Sequence, residues 1–145
     1  MIEMEREIVT SATPATVFAY LADFTTTEQW EPGTVSATRV AGDGGVGTRY
    51  ANTARFAGRT ADVEYEVIGV TPGRSIQLRA EHDSLIAHDT LTVRPHEGGS
   101  RVTYRVEFSF RGWLRLGEPL LRIPVANLMD GGVEGLQREL AKIAA

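Results

Sequence analysis

The sequence predicts an α+β fold in which a curved, seven-stranded antiparallel sheet wraps around a long C-terminal helix. Three patterns support this prediction: a strand at residues 2–10 followed by two short helices, a series of six further strands, and a helical stretch at about residues 118–143. The six later strands are predicted at residues 34–41, 48–57, 60–70, 75–82, 85–94 and 101–111. A chain of 145 residues is long enough for one core, so we expect a single domain over residues 1–145.

The first short helix has clear start signals. Thr13 can accept a hydrogen bond from a free backbone N–H, and Pro14 at the first helical position sacrifices no hydrogen bond. Val17, Phe18 and Leu21 then form an apolar stripe at helical spacing. This pattern predicts a helix that buries one face.

The second short helix ends at a proline. Trp30 closes its last turn, and Pro32 favours an extended backbone in the residue before it. We expect the two helices to close one end of the sheet, with Phe18, Leu21 and Trp30 buried there.

Turn residues between the later strands predict a register that keeps apolar side chains on one face. The predicted turns are Gly58-Arg59, residues 71–74, Asp83-Ser84 and residues 96–99. The opposite face then carries Glu66, Arg79, His88 and Glu107 side by side, as expected of a solvated surface. The predicted inward pairs are Asn52 with Tyr65, Tyr50 with Val67, Val67 with Leu78, Tyr65 with Ala80, Ala87 with Ala80, Asp89 with Leu78, Val93 with Val102 and Leu91 with Tyr104.

The C-terminal helix is predicted to cover the apolar face of the sheet. Its apolar positions recur at helical spacing: Val125, Met129, Gly132, Leu136, Leu140 and Ile143. Pro124 lacks a backbone donor, which predicts a kink or a separate short helix at residues 119–123. Gly131, Gly132 and Gly135 indicate either close packing against the sheet or room for a ligand.

Composition argues against several functions. A net charge of −4 and a pI near 5.4 disfavour nucleic-acid binding, and the chain has no cysteine. No apolar run is long enough for stable membrane insertion, and the acidic N-terminus does not resemble a signal peptide, so a cytoplasmic protein is expected.

No metal or cofactor is predicted. His82 points inward, His88 points outward and His96 lies in a turn, so they cannot share a metal ion. The glycine-rich loop at residues 42–47 joins two strands rather than a strand and a helix, which disfavours phosphate binding.

The arrangement resembles the helix-grip fold of the START and Bet v 1-like (SRPBCC) superfamily, and more narrowly its bacterial polyketide cyclase/dehydrase and lipid transport group. The resemblance implies a cavity between sheet and long helix that holds a small hydrophobic molecule. It does not by itself imply a reaction. The residues that carry it are Pro14-Ala15, Val17-Phe18, Leu21, Asp23-Phe24, Trp30, Pro32, residues 70–74 (Val-Thr-Pro-Gly-Arg) and residues 99–103 (Gly-Ser-Arg-Val-Thr).

Polar residues on the apolar face are the candidates for contact with that ligand. Asp89 is the strongest of these candidates, because burying an unpaired carboxylate at mid-sheet is energetically costly. Two interpretations remain open for Asp89: a structural ion pair with Arg6, or a pocket acid. The candidate ligand-binding residues are Arg39, Tyr50, Asn52, Tyr65, His82, Asp89, Tyr104, Phe108, Met129, Gly132 and Leu136.

Three functional hypotheses follow. The first is binding of a lipid, polyketide, isoprenoid or aromatic molecule in a cavity of roughly 300–1,000 Å³. The second is a cyclase, aromatase or dehydratase in which Asp89, His82 or Tyr65 moves protons. The third is an interaction or ligand-delivery module with an exposed apolar patch at Ile68, Val70 and Ile86, residues that would equally suit a homodimer seam.

Overall fold

A computed structural model describes residues 1–56, 58–83 and 85–144 of the chain. Their order of strands and helices confirms the predicted α+β architecture. The elements are β1 (Ile2–Thr10), α1 (Pro14–Ala22), a 3₁₀ turn (Phe24–Thr26), α2 (Thr27–Trp30), β2 (Thr34–Ala41), β3 (Arg49–Phe56), β4 (Arg59–Thr71), β5 (Ser75–His82), β6 (Leu85–His96), β7 (Gly99–Phe110), a second 3₁₀ segment (Gly112–Gly117) and α3 (Glu118–Ala144).

The strands form one antiparallel sheet in the order β1-β7-β6-β5-β4-β3-β2. Most of the predicted pairs among β4 to β7 are confirmed, including Asp89 opposite Leu78 and Leu91 opposite Tyr104. The charged outer row is confirmed as well, with His88 Nδ1 lying 3.5 Å from Glu107 Oε2. The predicted last residue of the third strand, Ala57, and the turn residue Ser84 lie outside the described residues.

The predicted register between β3 and β4 is wrong by two residues. Tyr50 lies opposite Tyr65, and Phe56 lies opposite Arg59. Arg59 therefore belongs to the strand rather than to the turn, where Gly58 has a φ of +79° that favours glycine. A slip of two residues keeps every side chain on its predicted face.

A β-bulge in β4 explains a second error. Val67 pairs with Leu78 and Gly69 with Gln77, so Ile68 is the extra residue. Beyond the bulge, Val70 packs against the core rather than facing outward. The predicted outer patch of Ile68, Val70 and Ile86 is therefore wrong, although Ile68 itself stays 39% exposed.

Helix α3 runs unbroken through Pro124. The short helix that precedes it is the 3₁₀ segment Gly112–Gly117, so the separate helix predicted at residues 119–123 is wrong. Pro124 leaves the carbonyl of Leu120 without its helical donor. Leu120 is exposed, so water can satisfy that carbonyl.

Helices α1 and α2 pack against the core, but Phe18 is only partly buried rather than buried as predicted. Thr13 Oγ1 accepts a hydrogen bond from the backbone N–H of Thr16 at 3.4 Å, which confirms the predicted cap. Leu21 and Trp30 are buried, and the Trp30 ring meets Tyr104 edge-on with centroids 5.4 Å apart.

Two glycines of α3 allow the segment after α2 to approach the helix. A Cβ atom on Gly135 would lie 2.1 Å from the carbonyl oxygen of Trp30, and one on Gly131 would lie 2.8 Å from Pro32 Cγ. Close packing therefore accounts for both glycines. This contact fixes the position of Glu31, which lies between Trp30 and Pro32.

Candidate ligand-binding site

The inner face of the sheet contains a cavity of about 80 Å³. This volume is smaller than the roughly 300–1,000 Å³ of typical ligand sites that we predicted. Most of its wall is apolar, and its polar groups come from a few side chains. The lining residues are Glu31, Gly33, Ala54, Arg55, Phe56, Val63, Tyr65, Ala80, His82, Leu85, Ala87, Asp89, Tyr104, Phe108, Phe110 and Leu128.

Asp89 is the most deeply buried charged residue of the cavity. It is 6% exposed, and its Oδ1 atom has no hydrogen-bond partner among the described residues. The predicted ion pair with Arg6 is wrong, because Arg6 Nε donates to Asp130 Oδ1 of α3 at 3.1 Å. Burial, with a smaller contribution from the charge of Glu31, raises the pKa of Asp89 to about 8. At neutral pH the side chain is therefore mainly a neutral acid that can donate a hydrogen bond.

Glu31 is the second carboxyl group of the cavity, and the sequence analysis missed it. Its Oε1 atom accepts a hydrogen bond from the backbone N–H of Gly33 at 2.8 Å. Burial raises the pKa of Glu31 to about 7, although the hydrogen bonds from Gly33 and Thr34 oppose that rise. The available signal was a carboxylate placed between a buried tryptophan and a proline, which we interpreted only as a helix end.

Two tyrosines complete the polar wall. Burial raises the pKa of Tyr65 and of Tyr104 well above the usual value, and the charges of Asp89 and Glu31 act in the same direction. Both hydroxyls therefore remain protonated near neutral pH. The Tyr65 ring packs against Phe24 with centroids 4.9 Å apart, which fixes its orientation.

An aromatic cluster forms the apolar end of the cavity. Phe56, Phe108 and Phe110 have ring centroids 6.2 to 6.3 Å apart. His82 lies at the end of β5, opposite Leu85. The structure thus brings together five of the predicted site residues: Tyr65, His82, Asp89, Tyr104 and Phe108.

The other predicted site residues do not line this cavity. Arg39 and Tyr50 border a separate surface depression beside Asp23 and Asp43. Asn52 is buried, with its Oδ1 atom unpartnered among the described residues, and it borders a third depression. Met129, Gly132 and Leu136 are buried in the packed core, and α3 contributes Leu128 to the cavity instead.

Within the described residues there is no group of three His, Asp or Glu side chains arranged to hold a metal ion. The described helices also include none that is long and apolar enough to cross a membrane. The polar side chains of the cavity are two carboxyls, two phenols, the His82 imidazole and the Arg55 guanidinium, set in an otherwise apolar wall.

Comparison with known proteins identifies the family to which the chain belongs. Residues 1–141 match the family described as polyketide cyclase / dehydrase and lipid transport, and the chain belongs to that family. A search of curated proteins found no significant match. The shared architecture is the helix-grip fold of the START/Bet v 1-like superfamily.

Three solved structures illustrate the similarity. A START superfamily protein from Mycobacterium smegmatis is 10% identical, with a TM-score of 0.82 over 97% of this chain and 98% of its own. The Zhui aromatase/cyclase from a Streptomyces species is 13% identical, with a TM-score of 0.78 over 96% and 93%. A protein from Thermus thermophilus is 21% identical, with a TM-score of 0.77 over 99% and 97%. At these identities the likeness concerns the fold alone.

Proposed function

We propose that the cavity binds a small, largely apolar molecule that carries a carbonyl or another hydrogen-bond acceptor. The observation that carries this proposal is the buried Asp89 carboxyl, which has an unpartnered oxygen and faces an apolar wall. A buried polar group without a partner costs about 1–3 kcal/mol, which a ligand acceptor would recover. Lipids, polyketides, isoprenoids and aromatic ketones all offer such a group on an apolar body.

The cavity must enlarge if it is to bind a drug-sized ligand. A drug-sized ligand needs several times the 80 Å³ found here. Phe56, Phe108 and Phe110 are the side chains whose separation would enlarge the cavity, because they form its apolar end and contact one another through ring faces and edges. Binding of a long ligand would therefore displace this cluster.

Filling the cavity is expected to abolish binding. Ala80 is 2% exposed and lines the cavity, so Ala80→Leu places an isobutyl group where the ligand would lie. With 1-indanone, a rigid apolar ketone, as the probe in calorimetric titration, we expect at least about a tenfold loss of affinity relative to the wild type. Ala51→Leu, on the exposed side of β3, is the matched control and should bind normally. Equal affinity of the two variants, or no binding by the wild type, would contradict the proposal.

A second candidate function is acid–base catalysis of ring closure or dehydration. It is favoured by the two carboxyl groups of one cavity, whose pKa values of about 7 and 8 lie close to neutral pH. In the proposed step, the Glu31 carboxylate takes a proton from the carbon beside a carbonyl, while Asp89 gives its proton to the carbonyl oxygen. The resulting enol can attack a second carbonyl or expel a β-hydroxyl group as water. A Streptomyces protein named as an aromatase/cyclase shares this fold, which supports this second candidate.

Exchange of an acidic C–H proton tests this chemistry directly. The wild type is expected to accelerate deuterium incorporation into 1-indanone beside its carbonyl, as followed by NMR in D₂O. General acid–base groups contribute roughly 10²–10⁴-fold, so Glu31→Gln should lower the accelerated rate by at least about 100-fold. Asp89→Asn should lower the exchange rate similarly. Tyr65→Phe and His82→Gln test whether Tyr65 or His82 also transfers a proton. If none of the four substitutions changes the exchange rate, the catalytic proposal is wrong. The ligand-binding proposal would not be affected by that result.

A further inference from the structure

The segment between β7 and the middle of α3 carries a dense set of exposed apolar side chains. Trp113 is 80% exposed, Leu116 88%, Leu120 76% and Ile123 66%. Scattered exposed hydrophobic residues are ordinary, but four large ones within eleven residues are an unusual concentration along the chain. We call these four residues the 113–123 patch.

The residues of the patch are distinct from the apolar residues with which this segment packs against the core. Leu114 and Leu121 of the same segment already pack against the core. Leu120 and Ile123, three residues apart on α3, lie on one face of that helix, and Leu116 lies in the 3₁₀ segment that precedes it. A segment that is apolar on two sides needs cover on both. Within the described residues, only one side is covered.

The charges around the patch are basic, although the chain as a whole carries a net charge of −4. Arg115 and Arg122 make no ion pair with another described residue. Glu118, the acidic residue within the segment, is paired with the N-terminal ammonium of Met1. The surface therefore combines exposed aliphatic and indole groups with unneutralised guanidinium groups, whose complement is apolar and anionic.

The patch adjoins the ligand cavity. Phe110 belongs to the cavity wall, and it also borders a surface depression shared with Arg111, Arg115 and Glu118. The segment that carries the patch begins two residues after Phe110. A surface that contacts the patch thus lies next to the aromatic end of the cavity.

We propose that the 113–123 patch docks this protein on the surface of an anionic lipid bilayer, beside which the cavity exchanges its ligand. Tryptophan and aliphatic side chains partition into the headgroup boundary, while nearby arginines are attracted to anionic lipids. A second copy of the chain fits less well. A symmetric dimer joins the same surface of both subunits, so it would bring the unpaired arginines of both copies into one interface where the patch supplies no free acidic partner. The docking is peripheral, and it is independent of whether the cavity binds a carbonyl compound.

Vesicle sedimentation tests the docking. Vesicles of phosphatidylcholine with about 30% phosphatidylglycerol should sediment the full chain at low ionic strength, and pure phosphatidylcholine should do so weakly. Each arginine near an anionic surface contributes roughly a fivefold factor, so Arg115→Gln/Arg122→Gln should weaken binding about 25-fold. Leu116→Ser/Leu120→Ser should weaken it by at least about tenfold through lost apolar burial. The control Val40→Ser/Val46→Ser removes two exposed valines elsewhere and should bind like the wild type.

Trp113 provides an internal reporter. Trp30 is 3% exposed, so a blue shift of the emission on adding vesicles would come from Trp113 and should vanish in Trp113→Phe. The proposal would be overturned by no sedimentation with anionic vesicles, by equal binding of the leucine and valine double variants, or by retention on poly-glutamate that matches retention on vesicles. The last would identify an acidic protein as the partner. A wild-type dimer in light scattering that Leu116→Ser/Leu120→Ser dissociates would likewise replace the membrane by a second copy.

Discussion

Asp89→Asn is expected to stabilise the protein at neutral and alkaline pH. The folded-state pKa of Asp89 is raised to about 8, against 3.8 for the ordinary side chain. Below pH about 4 both folded and unfolded states hold the proton, so ionisation costs nothing. Between pH 4 and 8 the unfolded state releases the proton while the folded state keeps it, so wild-type stability falls as pH rises. Four pKa units correspond to a loss on the order of 5 kcal/mol by pH 8.

Asparagine removes this loss because it has the shape of the neutral acid and no charge to bury. The variant should match the wild type near pH 4 and exceed it increasingly up to pH 8, as measured by urea unfolding at several pH values. Glu31 contributes a loss of the same sign between its ordinary value of 4.5 and its folded pKa of about 7. Some pH dependence therefore remains in Asp89→Asn and disappears in the double variant with Glu31→Gln.

Asp62→Asn is the matched control, because Asp62 is an exposed aspartate on β4. Its stability should run parallel to that of the wild type across the pH range. A parallel curve for Asp89→Asn as well would show that Asp89 is ionised in the folded protein. That result would also remove the hydrogen-bond donor on which the proposed ligand binding rests.

The sheet was largely predictable from the sequence because its registers depend on local turn chemistry. The turn at residues 96–99 sets Leu91 opposite Tyr104, whereas the turn at residues 71–74 pairs Thr71 with Ser75, and Val67 lies opposite Leu78 only because of the bulge at Ile68. The bulge at Ile68 falls where the alternation breaks, since Val67 and Ile68 are both apolar and Gly69 follows, but we interpreted this stretch as a regular strand. Its consequence, the inward rotation of Val70, became visible only in the structure.

The site was predictable only for those of its residues that lie on strands. The positions of Tyr65, Asp89 and Tyr104 follow from strand alternation, so the sequence placed them on the inner face. Glu31 lies outside any strand, and its position depends on contacts more than a hundred residues away in α3. The cavity volume depends on how the rings of Phe56, Phe108 and Phe110 pack, which strand alternation does not specify.

Gly135→Ala is expected to destabilise the protein although alanine is the better helix former. The added Cβ atom would lie 2.1 Å from the carbonyl oxygen of Trp30, a backbone atom that cannot rotate away. Alanine gains about 1 kcal/mol of helix propensity over glycine, whereas overpacking a rigid contact costs about 1–3 kcal/mol or more. We expect a net loss of up to about 2 kcal/mol in the free energy of unfolding, measured with urea.

Gly132→Ala is the matched control in the same helix. Its Cβ atom would meet Tyr104 Cε2 at 3.5 Å and Trp30 Cζ3 at 3.6 Å, which are ordinary contacts. This variant should be as stable as the wild type or more stable, by up to about 1 kcal/mol. Equal stability of the two alanine variants would show that the segment after α2 does not depend on close approach to α3.

Gly135→Ala should also change the electrostatics of the cavity. Relief of the clash moves Trp30 away from α3 and carries the adjoining Glu31 with it. A more hydrated Glu31 would regain an ordinary pKa, because its elevation comes mainly from burial. The fall in stability between pH 4.5 and 7 should therefore be shallower in Gly135→Ala than in Gly132→Ala. An equally steep fall in both would mean that α3 supports the helices without positioning the second carboxyl of the site.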